Sequence, residues 1–245
     1  MTQNIYDNEQ FFDAYGRLER SVHGLAGAPE WPALRALLPE MRGRRVLDLG
    51  CGYGWFCRWA RDQGAARVLG IDVSDRMLAR AREASGDAER DATIDYVRAD
   101  LEEVELPPAA FDIGYSSLAF HYLTNLPRLI ARVHAALTPG GRCVFSVEHP
   151  VVTASLQPDW VTHAGEPAWP VDHYFDEGPR TTDWLVPGVI KQHRMLGTYL
   201  NLLVRTGFSI AHVEDWGPTP AEVIQRPDWA TERQRPLFLL IAANR

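Results

Sequence analysis

The sequence predicts an α/β fold, a mostly parallel sheet covered by helices, and three observations predict it. Apolar, β-branched runs alternate with amphipathic stretches from residue 44 to residue 147, the pattern that buries parallel strands between helices. A glycine-rich turn, Gly50-Cys51-Gly52-Tyr53-Gly54, follows the first of those runs directly. Pro139-Gly140-Gly141 breaks the chain before the last of them.

Ahead of this core, residues 8–26 and 30–38 read as helices punctuated by Pro29 and Pro32. Residues 1–43 are therefore expected to form an N-terminal helical cover. Within 44–147 the strands fall at 44–49, 67–72, 94–99, 111–117 and 141–147, with helices near 54–63, 75–84 and 125–137. Ser74 is suited to cap the second of these helices, and Asp75 favours its positive end. Residues 148–190 lose the periodicity and carry six prolines with Trp160, Trp169, Tyr174, Phe175 and Trp184. A segment of that length inside a compact domain predicts a functional lid. Residues 191–245 close the chain with a helix at 191–206, Gly207 as its cap, and strands near 208–215 and 236–242. A chain of 245 residues buries enough surface for one self-sufficient domain, 1–245, built from these four parts.

A net charge of −7 argues against the broad basic face that nucleic-acid phosphates demand, and favours a small-molecule partner. The first twenty residues lack the apolar core of a secretory signal, and no run is apolar enough to span a bilayer. Cys51, Cys57 and Cys143 are an odd set without paired-ligand spacing, which fits free thiols in the cytoplasm. Oligomeric state is not encoded in any readable motif.

The informative segment is Val46-Leu47-Asp48-Leu49-Gly50-Cys51-Gly52-Tyr53-Gly54, a buried strand entering a glycine turn that lets backbone approach a ligand closely. Its spacing is G-x-G-x-G, and Trp55 stands where the dinucleotide fingerprint G-x-G-x-x-G would place its third glycine. Asp72 ends the second strand, twenty-two residues past Gly50, where a carboxylate accepts hydrogen bonds from ribose hydroxyls. That acid suits a nicotinamide or an adenosylmethionine site equally.

With these residues in place the chain resembles the class I S-adenosylmethionine-dependent methyltransferases, particularly the small-molecule group with a methyltransferase-11-like domain. VLDLGCGYG resembles their first motif, GIDVS with Met77 the second, RADLEEV the third, FDIGYSSLAFHYL the fourth, and LTPGGRCVFS the strand that follows. The resemblance implies a Rossmann-like seven-stranded sheet with its last strand antiparallel. It also implies S-adenosyl-L-methionine as donor and S-adenosyl-L-homocysteine as product. Carried over residue by residue, Asp48, Gly50 and Gly52 surround the methionine moiety, Asp72 binds the ribose and Met77 packs on adenine. Asp100 and the Leu101 amide meet the adenine edge, Ser116 or Ser117 lies beside the methionyl end, and Tyr15 and Arg20 help close the site.

Methyl transfer from a sulfonium needs alignment and exclusion of water, and a base only when the acceptor must lose a proton. The candidates follow the fourth and fifth strands: His121, and Glu148-His149. His121 is the first choice as base or positioning group and His149 the second. Trp160, Trp169, Tyr174 and Trp184 are candidate walls for a flat or cationic acceptor. His163, His173 and His193 show no metal-ligand spacing, so no metal is expected. The fourth motif reads Ser116-Ser117-Leu118-Ala119, unlike the Asn-Pro-Pro-Tyr type used on nucleobase amines. Two other readings stay open: a nicotinamide-dependent oxidoreductase, and a non-catalytic binding protein on the same fold.

Overall fold

The computed structural model describes residues 3–86 and 92–245. Five strands come first: β1 (Arg45–Leu49), β2 (Arg67–Asp72), β3 (Ile94–Arg98), β4 (Phe111–Ser117) and β5 (Leu137–Glu148). Four short ones follow, β6 (Val161–His163), β7 (Glu166–Ala168), β8 (Gly178–Thr182) and β9 (Val189–His193), and then β10 (Ser209–Trp216) and β11 (Phe238–Asn244). The main sheet runs in the order β10-β11-β5-β4-β1-β2-β3. Strands β1 to β5 pair in parallel, and β11 lies antiparallel between β5 and β10. This is the seven-stranded, mostly parallel Rossmann-like sheet that the sequence predicts.

Helices cover both faces, because side chains of successive strand residues point opposite ways. On one face Leu47, Phe145 and Ile241 pack against α6 (Leu126–Ala136) and α8 (Leu196–Thr206), through Leu129, Val133, Tyr199 and Leu203. On the other, Val46, Val144 and Leu240 meet α3 (Trp31–Leu37) and α4 (Trp55–Asp62), through Leu34, Phe56 and Ala60. Burial on both sides explains why the central strands read as continuous apolar runs. The order reverses at β1, which has β2 on one flank and β4 on the other. Such a switch opens a crevice beyond the strands' carboxyl ends.

Three expectations are corrected. The stretch 8–26 is not one helix: α1 (Glu9–Tyr15) stops at Gly16, and α2 (Glu19–Val22) and a 3-10 turn, Gly24–Gly27, follow. Asn8 caps α1 by accepting the Phe11 N–H, so the start is set by a side chain as sequence rules require. The break at Pro139-Gly140-Gly141 is a bend inside β5, which already pairs at Leu137 with Phe111 and resumes at Arg142 after a slip in register. The segment 191–206 divides, because β-branched Val189 and Ile190 pair with Thr182 and Thr181 in a hairpin and the helix begins only at Leu196. The 148–190 insertion itself is built of α7 (Pro150–Thr153) and two hairpins, β6-β7 and β8-β9. The remaining helices are α5 (Asp75–Ser85) and α9 (Pro220–Gln225). No helix among the described residues is long and apolar enough to cross a membrane.

Candidate active site

The crevice at the switch point is formed by the turn after β1. Gly50 and Gly52 take φ of +78° and +52°, in the left-handed region that favours glycine. A Cβ on Gly50 would lie 2.4 Å from the Ala119 Cβ, so this glycine lets the loop after β4 press on the turn. A Cβ on Gly52 would meet nothing within 4 Å, so open space lies against its backbone.

Asp72 holds the turn in place. Its Oδ2 accepts the Gly52 N–H at 2.8 Å and its Oδ1 the Ser74 N–H at 2.9 Å. Burial raises the Asp72 carboxyl above its ordinary range, and the two amides pull against that rise. Ser74 caps α5 by accepting the Met77 N–H, as the sequence predicts.

A cavity of about 410 Å³ opens over this turn. Gly50, Gly52, Asp72, Met77, Asp100 and Leu101 line it, so the structure brings these sequence candidates together. Asp100 accepts the Glu102 N–H at 3.0 Å. A smaller cavity of about 90 Å³ shares Tyr15, Arg20, Gly50, Gly52 and Ser117 with the large one, and reaches Asp48. Asp48 is buried and accepts the Cys57 thiol hydrogen at 3.1 Å; burial drives its carboxyl up to about 7. Arg20 places one nitrogen 3.1 Å from both oxygens of the fully buried Glu30. Burial works against its charge, and Glu30 more than restores it.

Not every candidate reaches the cavities. Ser116 is fully buried and donates to the Leu49 carbonyl at 2.7 Å, so it ties β4 to β1 while Ser117 faces the crevice. His149 lines neither cavity: Nδ1 accepts the Val151 N–H at the start of α7, and Nε2 meets Asp215 at 2.9 Å. Of the insertion's aromatics only Trp184 lines the large cavity. Trp160 and Trp169 hold the Arg235 guanidinium, 5.2 and 3.9 Å from their ring centroids. The Tyr174 hydroxyl accepts the Leu196 N–H at 3.2 Å, fixing the start of α8. None of these three lines either cavity, and their partners Arg235 and Leu196 lie beyond the insertion.

His121 does line the large cavity. Its Nδ1 accepts the Glu148 N–H at 3.2 Å, and burial lowers its pKa to about 4, so it is neutral at physiological pH. Beside it lie three residues that sequence reasoning did not single out: Tyr6, Tyr122 and Lys191. The Tyr6 and Tyr122 hydroxyls meet at 3.3 Å, and Lys191 bonds Glu148 at 2.5 Å. Nothing local marks them, since each acts on a partner far along the chain.

The N-terminal segment roofs this space. The Gln3 side chain donates to the Gly188 carbonyl and accepts the Ile190 N–H, both at 3.0 Å. Asp7 accepts the Ser74 hydroxyl at 2.5 Å and the Arg76 N–H at 3.2 Å. Five residues thus join the insertion to the start of α5. Among the described residues no group of three His, Cys, Asp or Glu could hold a metal ion.

The open space at Gly52, the carboxylate of Asp72, the apolar Met77 and Leu101, and the acid at Asp48 fit an adenosyl amino acid. Residues 47–145 match the model of a methyltransferase domain. A solved S-adenosylmethionine-dependent methyltransferase of Mesorhizobium loti is 55% identical with a TM-score of 0.86, covering 91% of this chain and 100% of that one. Malonyl-[acyl-carrier protein] O-methyltransferase of Enterobacter lignolyticus is 40% identical over 114 residues, 46% of this chain and 43% of that protein. Trans-aconitate 2-methyltransferase of Deinococcus radiodurans is 37% identical over 131 residues, 52% of this chain and 47% of that protein. The matches to these last two span less than half of each relative's length. With a donor crevice of this geometry and a relative alike along nearly its whole length, the chain belongs to the class I S-adenosylmethionine-dependent methyltransferases, and S-adenosylmethionine is its cofactor.

Proposed function

We propose that residues 1–245 work as one domain that methylates a small molecule, at oxygen, nitrogen or carbon, inside the roofed cavity and without a general base. The roof is the observation that carries this reading. Gln3, Tyr6 and Trp184 line the same cavity as Gly52 and Asp72, so acceptor and donor share one covered space. A net charge of −7 gives nucleic-acid phosphates little to bind.

S-adenosylmethionine, when bound, supplies a methyl group on a sulfonium sulfur that leaves as a neutral thioether. Asp72, Met77, Asp100 and Leu101 would hold its adenosyl part, and Asp48, Arg20 and Ser117 its amino-acid end. The remaining work of the chain is alignment and exclusion of water. His121 cannot take a proton at Nε2, because its Nδ1 already accepts a backbone N–H and Nε2 must carry the hydrogen. Burial raises Tyr6, Tyr15 and Tyr122 above their ordinary value, so they stay protonated. Glu148 is held low, which makes it a weak base. The acceptor atom is therefore one that attacks without first losing a proton to the protein. Three free thiols fit a reducing cytoplasm as its place of work.

The test is transfer of a labelled methyl group from S-adenosylmethionine into a cell extract. Label in the small-molecule fraction supports the reading. Label confined to protein or nucleic acid overturns it.

A further inference from the structure

His121 and Glu148 are joined through the backbone, since the Glu148 N–H donates to His121 Nδ1. The imidazole tautomer is thereby fixed with its hydrogen on Nε2. Glu148 is fixed as firmly. Lys191 Nζ holds its Oε1 at 2.5 Å, and Lys191 is itself buried and set 4.7 Å from the Trp184 ring centroid. Burial alone would raise the Glu148 carboxyl, but Lys191 holds it below its ordinary range, so it stays charged and can only accept.

Among the described residues neither His121 Nε2 nor Glu148 Oε2 makes a hydrogen bond, and neither is sealed from solvent. Both residues line the large cavity. Two linked side chains thus offer one donor and one acceptor of fixed polarity. Around them the walls are flat, formed by Tyr6, Tyr122, Trp184 and Phe238. Tyr6 donates its hydroxyl hydrogen to the Tyr122 oxygen, so the Tyr122 hydrogen stays available, and both rings present flat surface to a guest.

We propose that this wall reads a planar acceptor carrying a carbonyl next to an N–H or O–H, of the lactam or hydroxy-carbonyl type. The carbonyl takes the His121 Nε2 hydrogen, and the N–H or O–H donates to Glu148 Oε2. The inference rests on the small-molecule reading above and adds the chemical class. A molecule lacking either group leaves Nε2–H or Oε2 buried without a partner, which lowers affinity roughly 10- to 100-fold.

Three related bicyclic probes test it: 2-quinolone, 1-methyl-2-quinolone, which has no N–H, and quinoline, which has no carbonyl. Each is titrated calorimetrically into the full-length protein saturated with S-adenosylhomocysteine. The S-adenosylhomocysteine titration alone reports on the donor site, so a failure there is distinguishable and removes both readings. The expected result is 2-quinolone binding at least about tenfold tighter than either control. The Glu148→Gln variant should lose the preference over 1-methyl-2-quinolone, and His121→Phe the preference over quinoline. Glu148→Gln leaves Lys191 without its counter-charge and is open to unfolding, so the wild-type comparison stands by itself. Equal binding of the three probes, or no binding of 2-quinolone to the donor-saturated protein, overturns the inference.

Discussion

Asp72 accepts the Gly52 N–H at 2.8 Å, so the acid that ends β2 and the turn that ends β1 are one unit. The Asp72→Ala variant loses both the carboxylate proposed to bind the donor ribose and the pin that holds the turn. Hydrogen bonds to a charged group are worth about 1.5–3 kcal/mol each, so S-adenosylhomocysteine affinity should fall about 100-fold or more. Calorimetric titration measures this, and affinity within a few-fold of wild type would contradict it.

The two turn glycines should fail in different ways. Gly52→Ala puts a methyl into open space at positive φ, which costs about 1–2 kcal/mol in backbone strain while obstructing the donor. Gly50→Ala drives the methyl onto Ala119 and adds an overpacking cost of about 1–3 kcal/mol. Urea unfolding should rank Gly50→Ala as the less stable variant, while Gly52→Ala folds but binds the donor poorly. Donor affinity in Gly52→Ala within a few-fold of wild type would show that the space beside Gly52 is not where the donor sits.

Asp48 makes the donor-free protein sensitive to pH. Its carboxyl titrates at about 7 when folded, against an ordinary value of 3.8. A raised acid contributes stability that is complete below about 4 and is lost as pH climbs to about 7. Asp48→Asn removes that dependence, and should gain on wild type across this window by up to about 4 kcal/mol. Chemical denaturation at pH 4 and pH 8 measures the difference. A variant whose stability relative to wild type is the same at both values would refute the assignment.

His121 should leave no step in the rate between pH 5.5 and 8, since its pKa lies at about 4 and Nδ1 is occupied. His121→Asn should slow turnover and leave donor affinity intact. A protonation step near 6.5 that disappears in the variant would instead make His121 the base.

The strands and the glycine turn were legible because they are local. Runs such as Val46-Leu47 carry their burial in their own composition, and Gly50 and Gly52 are needed for a turn that spans a few residues. Ser74 as a cap was legible for the same reason, its partner Met77 being three residues away. The pairings that surround His121 were not. Lys191 finds Glu148 across forty-three residues and Tyr6 finds Tyr122 across 116, and neither pairing leaves a local pattern. Reading 191–206 as one helix also hid Lys191, because the pairing of β9 with β8 overrode helical periodicity. Aromatic composition marks Trp160 and Trp169 as surfaces, and only the fold reveals that Arg235 packs on both rings.

The most direct test of the account is a crystal structure with S-adenosylhomocysteine. Adenine beside Met77 and Leu101, with the ribose on Asp72 and the amino-acid end toward Asp48, is the predicted result. A ligand bound away from the Gly50–Gly54 turn, or one that binds there equally well after Asp72→Ala, would contradict it.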